Sequence, residues 1–431
     1  MMDTRTKKGL VAISPLIVFL AFFAFCAWLG KGFDAVPLIV AFLVATVVAV
    51  ATTSGLSLSE RVHVFGRSAG TDNIMFIILI FFCAGAFASS AKAMGCIDAT
   101  VYAVLSLLPE KYIFVSIFLT GCIISMATGS GVGSIVALGP IAVGISHAIG
   151  GNMEMLCAIV VCGAMFGDNL SFISDTTVIA TSTQGCELRD KFKANLWIAL
   201  PASICTIILL IWLGRDLPEV SVPSDAQWIR VLPYILIIAL SVLGVDVLVL
   251  LLCGALLCGI MGMLLGDFNF IGWIQAINTG IESMGPLTIM VILAAGLMGL
   301  VTHNGGTEFI IRICTRFVHS RLSAEVCIAV LTGLICLCTA NNTIAIMTVS
   351  TIVKELSTKF GIDPRKAAAL MDTSSCIVQE LVPYSMHLLA AAAFAGISAA
   401  SLIPHVYYCY LLLLFMIVAI IFNLPRFKKA A

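Results

Sequence analysis

The sequence predicts an all-α polytopic membrane protein built from two inverted repeats, each with five crossings, a re-entrant hairpin and a broken helix. That makes about 10 spans plus 2 hairpins. Three observations carry this expectation: long apolar blocks, polar interruptions that recur at a fixed offset, and the placement of the positive charges. Of 431 residues, 61% are hydrophobic and 11% charged, where a soluble domain would carry about 25% charged residues. The apolar residues fall into Val11–Leu29, Val36–Thr53, Ile74–Ser90, Leu196–Leu213, Val247–Leu265 and Leu402–Phe422. About 20 apolar residues cross the hydrocarbon core as a helix, and in lipid a helix satisfies its own backbone groups. The longest polar stretch is Arg215–Arg230, which leaves no room for a sizeable soluble domain. Met1–Lys8 and the apolar run after it read as a retained first helix rather than a signal peptide, because the run is too long and no small-x-small site follows. The sixteen cysteines show no metal-ligand spacing and read as small apolar packing residues. Net charge is zero, so nothing favours a nucleic-acid partner.

The chain divides into residues 1–214, an extracytoplasmic linker at 215–230, and residues 231–431. The halves align at an offset of 212 residues. Gly32 and Asp34 fall on Gly244 and Asp246, and Leu119-Thr120-Gly121 on Leu331-Thr332-Gly333. Asp168 falls on Glu380 and Asp175 on His387. Ala84-Gly85 and Gly95 match Ala295-Gly296 and Gly306 after a one-residue shift. In each half, three plain helices precede a long apolar stretch with a polar middle, then an interrupted helix and a final plain helix. The stretch Tyr112–Ile149 has arms of roughly 16 residues around Thr128–Gly133, short for two crossings. A re-entrant hairpin fits it, and its mirror is Ala324–Lys354 with a tip at Thr339–Thr343.

Positive charge prefers the cytoplasmic side. With both stretches as hairpins and the N-terminus inside, eighteen Lys and Arg residues lie inside and five outside. With each hairpin a single crossing, the split falls to 14 against 9. The hairpin arrangement therefore wins. Five crossings per half make the second half enter from the opposite side, which inverts the repeats. Both termini are then cytoplasmic.

An ionisable side chain in hydrocarbon costs at least ~2.5 kcal/mol and persists mainly where it faces a cavity or a partner. Asp168 and Asp175 both lie in the fifth apolar segment, Met155–Thr183. Seven residues apart, they would share a face of a continuous helix. Asn169, Ser171, Ser174, Thr176 and Thr177 add oxygen atoms around them. The density of Gly, Asn and Ser also points to unwinding, which frees backbone carbonyls as ligands for sodium. The plainer alternative is a polar helix end at the membrane surface, but apolar residues flank the segment on both sides and Lys191 lies well downstream.

The run Gly163-Ala164-Met165-Phe166-Gly167-Asp168-Asn169-Leu170-Ser171-Phe172-Ile173-Ser174-Asp175-Thr176-Thr177 resembles the signature of NhaC-type sodium/proton antiporters, usually Gly-Asp-x-x-Ser-Pro-x-Ser-Asp-Thr-Thr. Phe172 stands where that family usually has proline. In the second half the family members carry Pro-Trp-Asn, and this chain has Gln379-Glu380-Leu381-Val382-Pro383-Tyr384-Ser385-Met386-His387. The resemblance implies re-entrant hairpins, broken helices and sodium/proton exchange in a bacterial-type cytoplasmic membrane. It implies sodium and protons as cargo with no cofactor, the lipid bilayer as surroundings, and, from the wider group, a homodimer.

Glu380 is either a second titratable ligand or proton acceptor, or a structural carboxylate. His387 either titrates near neutral pH or hydrogen-bonds in the core. Asp372, one turn beyond Arg365–Lys366, reads as interfacial. The tips contribute Thr128, Ser130, Thr339, Asn341, Asn342 and Thr343 as polar groups in an apolar setting, though Gly129 and Gly133 also have the spacing of a helix-packing face. Pro140, Pro201 and Pro383 read as kinks, and Lys92 and His303 as interfacial anchors.

Two tips meeting near the midplane would surround the broken helices, and sodium and a proton would compete for the oxygens of Asp168 and Asp175. The nearest rival keeps the fold and exchanges a small organic acid or amino acid with sodium or protons, but no Arg pair for a dicarboxylate lies in the expected core. An intramembrane aspartyl protease fits poorly, since its two acids belong on two facing helices. A channel fits a duplicated, interrupted-helix architecture less well than a carrier.

Overall fold

The computed structural model describes residues 4–30, 38–107, 109–171, 174–215, 217, 228–243, 245–425 and 427, and these form helices and connections without a strand. The first half holds α1 (Thr4–Leu29), α2 (Leu38–Thr52), α3 (Leu58–Ala69), α4 (Asp72–Ala93), α5 (Cys96–Leu107), α6 (Ile113–Thr128), α7 (Gly131–Ile149), α8 (Met153–Leu170), α9 (Asp175–Gln184) and α10 (Leu188–Leu213). The second holds α11 (Leu232–Val242), α12 (Val247–Leu265), α13 (Phe270–Ser283), α14 (Gly285–His303), α15 (Gly306–Thr315), α16 (Arg321–Thr339), α17 (Asn342–Phe360), α18 (Pro364–Gln379), α19 (Met386–Ala395), α20 (Ala399–Leu402) and α21 (Tyr407–Ile421). Most of the 215–230 linker lies outside the described residues, as do Gly32, Asp34 and Gly244.

Eight segments among the described residues are long and apolar enough to cross a bilayer, or nine if the pair Met386–Ala395 and Ala399–His405, bent by 102°, is one span. This is fewer than the ten expected. The 15-residue helices α2 and α21 rise only about 22 Å at 1.5 Å per residue, short of a ~30 Å core. The hairpin arms α7 and α16, at 19 residues each, meet the length requirement.

One continuous apolar core runs through both halves. The opposite faces of α1, α10 and α12 expose Ile17, Leu20, Ile204, Ile208, Leu252, Leu256 and Ile260. Apolar surface on that scale belongs against lipid, and the chain is a multi-pass membrane protein. Packing is reciprocal between the halves. Helix α2 packs on α14 and α12 on α4; α3 packs on α14 and α13 on α4; α7 packs on α19 and α17 on α9. The α4–α13 crossing is closed by backbone contact, where a Cβ on Gly280 would meet the Gly85 carbonyl oxygen. Pro140 and Pro201 lie inside α7 and α10, Pro383 lies between α18 and α19, and Lys92 and His303 are exposed at the ends of α4 and α14.

Candidate functional site

The two hairpin tips share one backbone solution. Gly129, at the end of α6, is left-handed with φ 65°, and Ser130 is extended. At the other tip Ala340 is left-handed with φ 52°, and Asn341 is extended. A left-handed residue ends the first arm, and the extended residue caps the second. Ser130 Oγ accepts from Gly133 N at 3.1 Å, and Asn341 Oδ1 accepts from Ile344 N at 2.9 Å. The offset between the tips is 211 residues, not the 212 of the sequence alignment.

The same offset of 211 relates Ser174 and Ser385, the N-cap residues of α9 and α19. It also relates two links between an arm and a broken helix: Ser125 Oγ to Ala164 O at 2.5 Å, and Cys336 Sγ to Ser375 O at 3.4 Å. By this register Asp168 stands opposite Gln379, Asp175 opposite Met386, and Thr176 opposite His387. The mirror pairs Asp168/Glu380 and Asp175/His387 are therefore each one residue out. The one-residue shift needed for Gly85 and Gly296 was the signal, because it is the offset that the packing keeps.

A cavity of about 120 Å³ lies where the tips and breaks meet. It gathers Ser130, Asn341, Asn342 and Thr343 from the tips, Asp168, Ser174, Asp175 and Thr176 from the first break, and His387 from the second. Phe76, Ile77 and Ile80 of α4 form an apolar wall. Asp168 is 5% exposed. Ser174 Oγ donates to its Oδ1 at 2.6 Å, and Asn342 Nδ2 donates to its Oδ2 at 3.3 Å. Thr176 Oγ1 lies 2.9 Å from Ser174 Oγ. The α8–α9 break separates the two acids, so they sit on different helices, and Asp175 is exposed in the first turn of α9. A helix N-terminus and the end of another thus converge on the cavity, with the partial charges those ends carry.

The other expected residues lie behind this cavity. Ser171 Oγ donates to Met126 O at 3.1 Å and ties the break to α6. Thr339 Oγ1 donates to Ile335 O at 2.9 Å and to Asn341 O at 3.0 Å. The Thr128 side chain, with Phe172 and Ile173, lies outside the described residues. Glu380 is fully buried at the end of α18. Its Oε1 lies 2.7 Å from His387 Nδ1, within ion-pair distance. Glu380 thus reaches the cavity only through His387. A Cβ on Gly131 would come within 2.6 Å of His387 Nε2, so the first tip seats the imidazole.

Asn169 and Thr177 face a second polar centre that the sequence reading did not assemble. Lys191 Nζ donates to Asn169 O at 2.8 Å and Thr177 Oγ1 at 2.6 Å, and pairs with Asp372 Oδ2 at 2.6 Å. Asn195 Nδ2 donates to Asn169 Oδ1 at 2.7 Å and to Asp372 Oδ2 at 3.0 Å. Asp372 is therefore not interfacial: it is 0% exposed and Lys191 1%. Lys191, one of the eighteen residues placed inside by the charge count, is thus buried rather than at the cytoplasmic surface. The available signal was its i,i+4 spacing with Asn195, which puts the two polar groups on one face of α10.

The sequence profile of the Na+/H+ antiporter family matches residues 6–215 and 226–424. The chain is 23% identical over 439 residues to the Na(+)/H(+) antiporter NhaC of Alkalihalophilus pseudofirmus, covering 94% of each protein. It is 22% identical over 368 residues to the malate-2H(+)/Na(+)-lactate antiporter of Bacillus subtilis, covering 78% of each. Among solved structures, the YdaH transporter of Alcanivorax borkumensis aligns over 90% of this chain and 97% of its own, with TM-score 0.43 and 15% identity.

Proposed function

This chain belongs to the Na+/H+ antiporter family, and we propose that it exchanges sodium for protons at Asp168. The observation that carries this reading is the Asp168 carboxylate, buried and held by Ser174 and Asn342 at the wall of the cavity between the tips. Sodium takes the carboxylate oxygens together with hydroxyl and amide oxygens of Ser174, Thr176 and Asn342. A proton takes the same carboxylate when sodium leaves. One carboxylate cannot hold both, and that exclusion couples the two flows.

Alternating access comes from movement of the hairpins and broken helices against the remaining helices. The reciprocal packing of the halves supports an inverted-repeat mechanism. The bacterial relatives support placement in the cytoplasmic membrane, and the charge distribution supports cytoplasmic termini. Organic-acid exchange is less well supported. The cavity holds about four waters at ~30 Å³ each, and no Lys or Arg is among its described lining residues.

The test is sodium-induced proton movement in everted membrane vesicles. Asp168→Asn removes it at normal expression; full activity in that variant overturns the assignment. Stimulation of sodium flux by an added organic acid would select the second reading.

A further inference from the structure

Lys191 supplies three donors and finds three acceptors, each of a different kind. Asn169 O belongs to the last turn of α8, where carbonyls lack intrahelical partners. Thr177 Oγ1 belongs to the first turn of α9, and Asp372 Oδ2 to α18. A carbonyl at a helix break, a hydroxyl and a carboxylate are the oxygens with which membrane transporters hold sodium. The second oxygen of the carboxylate, Asp372 Oδ1, is buried without a hydrogen-bond partner among the described residues. Asn195 braces the same carbonyl at 3.1 Å. The centre is thus a closed, oxygen-lined cation site whose occupant is tethered to α10.

We propose that the Lys191 ammonium fills an alkali-cation site formed by Asn169 O, Thr177 Oγ1 and Asp372 Oδ2, and thereby limits the number of sodium ions the broken helix binds. A fixed ammonium neutralises Asp372 without entering the transport cycle. It also accounts for Asn169 and Thr177, which look like sodium ligands in the sequence and turn away from the cavity. With the ammonium removed and space left behind, Asp372 is a buried, uncompensated carboxylate facing two neutral oxygens, and sodium is the abundant cation that fits. The inference rests on the reading of Asp168 as the transported-ion ligand only for the count in the unmodified protein.

The experiment is equilibrium binding of radioactive sodium to the purified full chain in detergent. Lys191→Ala is expected to bind one more sodium ion per chain than the unmodified protein. The double variant Lys191→Ala with Asp372→Asn returns to the unmodified count. Equal counts in Lys191→Ala and the unmodified protein overturn the proposal. Asp168→Asn separates the two claims, since it removes one ion from either background. If the unmodified protein binds none, the reading of Asp168 fails, while the difference between Lys191→Ala and the unmodified protein still decides this one. Thermal unfolding in sodium against N-methylglucamine guards against misfolding. Lys191→Ala should gain more stability from sodium than the unmodified protein. If it is recovered in neither cation while the double variant folds, the proposal also falls.

Discussion

Ser130 and Asn341 occupy equivalent places at the two hairpin tips, and each caps the arm that follows it with its own side-chain oxygen. Removing such a cap costs ~1 kcal/mol. Ser130→Ala and Asn341→Ala should each lower stability by about that amount in thermal unfolding of the purified protein. Ser130→Asn, which keeps a capping oxygen, should recover most of the loss. An unchanged midpoint in both alanine variants would show that the tips are held by other contacts.

Ala340 adopts a left-handed backbone at φ 52°, a conformation that costs a residue with a Cβ about 1 kcal/mol or more. Ala340→Gly should therefore raise the unfolding midpoint, and Gly129→Ala, at φ 65°, should lower it. The opposite signs make the pair a test of the shared tip geometry.

Ser174 donates to Asp168 at 2.6 Å and so fixes the carboxylate that we propose holds the cation. Ser174→Ala should raise the half-saturating sodium concentration about tenfold, equivalent to ~1.4 kcal/mol. The maximal rate should change little, and flux against sodium concentration separates the two.

Gly131 has no room for a side chain, since a Cβ there would lie 2.6 Å from His387 Nε2. Gly131→Ala should push the first tip off α19 and slow transport by at least about tenfold, as expected for misplacement at a reacting centre. Gel filtration and thermal unfolding should show the chain still folded.

Asp363, in the connection between α17 and α18, is held below the usual carboxylate range by hydrogen bonds from Arg365. A carboxyl with a depressed folded-state pKa stabilises the fold above its unfolded value near ~3.9 and loses that contribution as pH falls through the lower folded value. Asp363→Asn should flatten the acid limb of stability below pH ~4 and leave the pH dependence of transport between ~6 and ~8 unchanged. Thermal melts from pH ~2 to ~6 check the first, and vesicle assays between ~6 and ~8 the second.

Much of the fold was legible because lipid imposes a simple rule on the chain: apolar blocks must be helices, and polar interruptions inside them must face something other than lipid. Asp168, Ser174, Thr176 and the Asn341–Asn342 tip stood out on that ground and do converge. What the sequence could not give was direction around a helix axis. Asn169 and Thr177 carry the right oxygens beside the acids, but the rotation of α8 and α9 aims them at Lys191. Asp372 looked interfacial because Arg365 and Lys366 precede it, yet Lys366 is itself buried, 2.7 Å from Glu325. Hydropathy counts a buried ion pair as two surface charges. The single-residue error in the mirror pairs has the same origin, since apolar sequences align almost equally well one residue out while helix packing does not.

The tips carry a consequence for descent. Ser130 and Asn341 reach one backbone shape with different capping groups, a hydroxyl and an amide oxygen, so the shape accepts either. Each tip can therefore exchange one capping group for the other independently of its counterpart. Asn342 and Thr343 line the cavity but do not make the cap, so a change at either alters the cavity wall and leaves the capping oxygen in place.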